Sequence, residues 1–120
     1  MRLAATMRIL SMSLALSLHA PAQDKKAVSF EKDVVPILKA SCISCHKPDK
    51  KKGKLDMSTY ASLMKGGDQG APVKPGDPKK SILIEVVSGK EPEMPEKGDP
   101  LTPAQIDVLA RWIQEGAKQN

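Results

Sequence analysis

Residues 40–54 read ASCISCHKPDKKKGK. Cys42, Cys45 and His46 fall within five residues, and Lys47, Lys50, Lys51, Lys52 and Lys54 follow at once. The chain has no other cysteine, and its second histidine, His19, lies far upstream. What a C-x-x-C-H run does depends on the polypeptide that carries it.

Upstream, Met1–Gln23 reads MRLAATMRILSMSLALSLHAPAQ. Arg2 and Arg8 precede an apolar stretch, Ile9–Leu18, and Ala20-Pro21-Ala22 offers a small-residue cleavage site. This is the layout of a secretory signal peptide. The apolar run is shorter than the ~20 residues that span a bilayer, so stable membrane insertion is not expected. There is no cysteine near the cleavage site, so a lipid anchor is not expected. The expected organisation is a signal peptide over 1–22, a loose leader over 23–29 and one domain over 30–118. The product is then exported and periplasmic.

Cleavage after Ala22 would leave 98 of the 120 residues, enough for one domain. Losing Arg2 and Arg8 from 19 Lys and Arg leaves 17 against 14 Asp and Glu, a net charge of +3. That balance is too weak and too mixed to point to nucleic acid. His46 becomes the sole histidine. The only aromatics are Phe30, Tyr60 and Trp112. A chain this small buries a modest share of its surface. With so few large side chains, a flat apolar cofactor would help to fill the core.

The periodicity predicts about four short helices. The first runs from about Asp33 to His46, with Val34, Ile37 and Leu38 on one face and Pro36 tolerated in the first turn. Lys47–Lys54 reads as a surface loop. A second helix starts near Ser58 and stops at Gly66-Gly67. A third opens at Asp77-Pro78 and runs to about Ser88, although its Ile82, Val86 and Val87 also suit a strand. Thr102-Pro103-Ala104-Gln105 is a capping box for the last helix, to Glu115, with Ile106, Leu109, Ala110 and Ile113 on one face. Gly66–Pro78 and Gly89–Leu101 are Gly- and Pro-rich loops. The domain reads as all-α with long loops, and such loops need a reason.

C-x-x-C-H is the attachment signature of c-type haem. Two thiols three residues apart on a helical turn can each form a thioether to the porphyrin, which carries the next residue, His46, under the iron. A thioredoxin-like pair would need a βαβ context, and none is visible. A structural zinc site wants four protein ligands, and the processed chain offers three Cys and His groups. A simple disulfide would leave His46 and the thin core unexplained.

After cleavage no second histidine remains for the other face of the iron. The methionines are Met57, Met64 and Met94. Met64 falls on a predicted helix, and Met57 lies close behind His46. Met94 sits in a loop between Pro92 and Pro95 with no helix face to pack on, and is the leading candidate; a lysine is the remote one. His/Met ligation raises a haem's potential. With both axial positions filled, outer-sphere electron transfer is favoured over catalysis.

Phe30–Ala117 resembles the planctomycete-type cytochrome c domains, a branch of the class I cytochrome c fold. The matching stretches are Val35-Pro36-Ile37-Leu38, Cys42–His46, Gly53–Asp56 (GKLD), Lys65-Gly66-Gly67, Pro75-Gly76, Ser81-Ile82-Leu83, Met94-Pro95 and Leu109–Ala117 (LARWIQEGA). The resemblance implies short helices and long loops wrapped around one haem c, attached at Cys42 and Cys45. It implies His46 and Met94 as axial ligands, and first and last helices that pack across each other near a haem edge.

The function expected is that of a monomeric electron carrier between redox protein partners, not an enzyme. A haem-based gas or redox sensor, or a weak peroxidase with a displaceable Met94, is the alternative. Trp112 is a candidate haem contact through its ring edge or N–H, as is Tyr60. The lysines after His46 suit either a docking surface or a solvated loop. Gly66, Gly67, Gly70 and Gly76 suit either close approach to a porphyrin or ordinary turns.

Overall fold

Ser29 opens the first helix. In the computed structural model, which describes residues 26–120, its hydroxyl accepts the Lys32 N–H while its own N–H donates to the Asp33 carboxylate at 2.8 Å. The signal-peptide reading lies outside the described residues. A π-helical turn over Phe30–Val34 leads into α1 (Val35–Ser41). The Val34 N–H reaches back five residues to Ser29 O, and that of Val35 to Phe30 O. Pro36 gives the reason for this wide turn. Its ring would crowd a carbonyl one α-turn back, and it has no N–H to give.

The helix therefore starts earlier than Asp33. It also stops at Ser41 rather than running to His46. Cys42 has φ −122° and ψ −44°, and both its N–H and that of Ile43 donate to Leu38 O at 2.9 Å. A turn through Cys42–Cys45 follows, with the His46 N–H on Cys42 O at 3.0 Å.

His46 then enters a β-hairpin. β1 (His46–Lys47) pairs antiparallel with β2 (Lys50–Lys51), His46 opposite Lys51 and Lys47 opposite Lys50, around Pro48-Asp49. The all-α expectation takes this correction: a two-stranded sheet stands where a surface loop was expected. A two-residue turn and two pairs of residues leave no alternating pattern long enough to read.

Helix α2 (Tyr60–Lys65) is capped by Thr59 and ends at Gly66, whose φ is 80°. The expected third helix is split. Pro78–Lys80 forms a 3₁₀ turn, capped by Asp77 as its sequence suggests, and α3 spans Ile82–Val87. Ser81 between them is extended and buried. Its hydroxyl donates to Asp77 O and accepts the Lys74 N–H, both at 2.9 Å, which ties the preceding loop down. Helix α4 (Pro103–Gln114) has the expected capping box in full.

The core lies between the first helix and α4. Val34, Leu38, Leu63, Leu109, Trp112 and Ile113 are fully buried. The Phe30 ring meets Trp112 at 5.4 Å and Tyr60 edge-on at 5.3 Å, so the chain's three aromatics form one cluster. The ends of the described chain close on each other. Asn120 accepts from the N–H groups of Phe30 and Glu31 and donates to Val28 O. Val28, in the segment expected to be loose, is buried, and its N–H donates to Glu115 at 2.8 Å. Among the described residues no helix is long and apolar enough to cross a membrane.

Candidate functional site

The turn that ends α1 presents Cys42, Cys45 and His46 to one cavity of about 320 Å³. That is within the range of small-molecule and cofactor sites. Leu55 and Met57 continue this wall. Pro72, Leu83, Val86, Val87 and Leu101 supply an apolar lining, and Met94-Pro95 contributes from the loop before α4. The long Gly- and Pro-rich loops thus have their reason: they are the walls.

His46 is buried and held at two points. Its carbonyl accepts the Met57 N–H at 2.8 Å. Its ring Nδ1 lies 3.2 Å from Leu55 O, a carbonyl that can only accept, so Nδ1 carries the proton. Nε2 is then the nitrogen with a lone pair to offer a metal.

The two cysteines are not bonded to each other. Burial pushes the Cys42 thiol up from 9.0 to about 11, so in the bare chain it is a neutral thiol at pH 7. Among the described residues no three His, Cys, Asp or Glu side chains are grouped to hold a metal ion.

Met94 is half-buried, and its N–H donates to Val86 O at 2.8 Å, which pins the loop to α3. Met57 also lines the cavity and is buried, whereas Met64 does not line it. Lys52 and Glu96, both at the cavity, form an ion pair at 3.2 Å that joins the hairpin side to the Met94 loop.

Trp112 is not at the cavity. Its indole N–H donates to Lys118 O at 2.9 Å and its ring packs in the core, so the geometry gives it to packing rather than to cofactor contact. The Tyr60 hydroxyl is likewise committed, donating to Ala117 O at 2.8 Å. Gly67, Asp68 and Gly70 have their N–H groups bonded to Gly70 O, Gly53 O and Gly67 O, so they are not free to hold an anion.

The donor set fits covalent haem: two free thiols, a histidine with Nε2 available and a thioether on a pinned loop, around an apolar cavity. Residues 42–98 match the family model described as Planctomycete cytochrome C. Over this span, just under half of its length, the chain is similar to a planctomycete cytochrome c domain. That similarity points to a haem-binding, electron-transfer domain. The matched span runs from Cys42 through the Met94 loop, and so takes in most of the cavity walls. Comparison with curated proteins and with solved structures gave no match.

Sequence reasoning missed Leu55, whose backbone orients His46, and the Lys52–Glu96 link. The GKLD stretch carried the only hint of the first, and a backbone carbonyl has no side-chain signature.

Proposed function

We propose that this protein is an exported, periplasmic monohaem cytochrome c that carries single electrons, with haem attached through Cys42 and Cys45 and with His46 and Met94 as axial ligands. The supporting observation is that Cys42, Cys45, His46 and Met94 line one cavity. Haem, when bound, supplies a one-electron couple. The chain's residues do the rest. Leu55 O holds the Nδ1 proton of His46 and so presents Nε2. The Met94 loop, tied to Val86, supplies the second axial donor, and the apolar lining excludes water and raises the potential.

The partners are other redox proteins, and the basic hairpin suits an acidic one. Lys47 and Lys50 are directly opposite in the hairpin, and like charges so placed are destabilising. Ion pairs among the described residues engage Lys52 and Lys54, not Lys47, Lys50 or Lys51. A negatively charged partner would relieve that repulsion and steer its own approach to the cavity.

A redox-titrated optical spectrum of the matured protein tests the reading. A low-spin haem c spectrum with a thioether charge-transfer band, and little carbon monoxide binding when reduced, is the expected result. Rapid, full carbon monoxide binding by the unmodified protein would favour the sensor or peroxidase alternative, in which Met94 leaves the iron.

A further inference from the structure

We infer that Gly67 is a positioning residue for His46, acting through the backbone of Leu55. This rests on the reading of His46 as a haem ligand. The turn Gly66–Gly70 closes on itself, with the Gly70 N–H on Gly67 O at 2.9 Å, and lies against the Gly53–Leu55 segment. The Asp68 N–H donates to Gly53 O at 2.8 Å, and the Lys54 ammonium pairs with Asp68 at 3.7 Å.

Gly67 is where the two backbones touch. A Cβ there would overlap Gly53 O and would lie 2.9 Å from Leu55 N and 3.0 Å from Lys54 C. All of these are main-chain atoms, which cannot swing aside as a side-chain tip can. Gly53 and Lys54 already have positive φ, 64° and 56°, so the segment is bent sharply just before Leu55. Its next carbonyl is the one that receives the His46 Nδ1–H. The glycine turn therefore backs the bend, and the bend sets the carbonyl.

A histidine ligand that donates its other N–H is a more basic ligand and is fixed in orientation. Pushing Leu55 away weakens that bond, makes His46 a poorer donor to ferric iron and raises the reduction potential. A role confined to packing would lower stability without this electronic signature.

The test compares matured wild-type protein with Gly67→Ala and Gly76→Ala. Gly76 has a positive φ, 82°, so Ala there is strained by the backbone alone, and its Cβ meets nothing within 4 Å. Both variants lose stability. Only Gly67→Ala raises the potential, moves the His46 Nδ1–H proton resonance upfield in the reduced protein, and speeds its exchange with solvent by about tenfold or more, the factor that ~1.4 kcal/mol gives.

If haem-bearing Gly67→Ala keeps the wild-type potential and Nδ1–H resonance, or if Gly76→Ala shifts them equally, the positioning role is wrong while the cytochrome reading stands. Wild-type protein without attached haem would sink both. Should Gly67→Ala fail to mature, native-state hydrogen exchange on the wild type decides. The Asp68 amide and the His46 Nδ1–H should open with the same free energy. Free exchange at Asp68 beside a protected Nδ1–H would overturn the inference.

Discussion

Met94 and His46 carry the account at the scale of single residues, and they were unequally legible. C-x-x-C-H singles out His46 as the proposed ligand, because thioether spacing and axial ligation of a c-type haem use that order of residues. Met94 emerged by elimination among three methionines, and Met57 shares its cavity. Met94→Ala therefore separates them: it should lower the potential and let carbon monoxide bind the reduced protein. An unchanged spectrum would transfer the ligand role to another side chain. Trp112 shows the limit of such reading. A lone tryptophan in a haem-sized domain suggests a cofactor contact, but whether its N–H is spent on Lys118 is a matter of how the chain end folds back.

Asp56 gives a pH dependence at the same scale. Its carboxyl is held below the usual carboxylate range, chiefly by the Ser58 hydroxyl and then by the Ser58 N–H. A lowered pKa in the folded chain means that its stabilising effect is present above ~3.9, the ordinary value, and fades as the pH falls through the depressed one. The turn it closes, Asp56–Ser58, follows Leu55 directly and contains Met57. Asp56→Asn should therefore flatten the acid limb of the unfolding midpoint measured against pH. An acid limb identical to that of the wild type would show that the turn adds nothing.

Elements with strong local chemistry were read well. Thr102, Pro103 and Gln105 state where α4 begins, and the structure agrees. Thr102→Ala removes a cap, and should cost ~1 kcal/mol and lower the thermal midpoint by roughly 4–8 °C in a domain of this size. A shift under a degree in calorimetry would contradict the cap's role. Elsewhere tertiary demands overrode local preference. Pro36 was assigned to a first turn, but the helix starts a full turn earlier and widens to admit it. Ser81 interrupts the third helix to bond Asp77 and Lys74, and the cysteine turn ends the first so that His46 can enter the hairpin. For that hairpin the expectation is a rate of electron transfer with an acidic partner that falls as salt rises. Lys50→Glu with Lys51→Glu should abolish most of the salt dependence. A rate indifferent to salt would leave the lysines as a solvated surface.

Across the whole molecule, two closures define the architecture. One joins the ends of the described chain: Asn120 bonds the start of the first helix, and Lys118 O receives the Trp112 N–H. Removing Lys118–Asn120 would leave a buried indole N–H without its acceptor, a cost of about 1–3 kcal/mol, visible as a lower denaturation midpoint of the haem-bearing protein. Nothing in the composition of this tail announces that role. The other closure is the cavity, whose walls come from the cysteine turn, the hairpin's exit, the glycine turn, α3 and the Met94 loop. Its existence was implied by the thin aromatic content and by loops too long for a small domain, while its shape required the fold.

The mass of the exported, matured protein tests the central claim most directly. The account predicts the chain processed after Ala22 plus one covalently retained haem, with neither cysteine open to alkylation under denaturing conditions. A mass equal to the polypeptide alone, with Cys42 and Cys45 alkylatable or joined to each other, would contradict it.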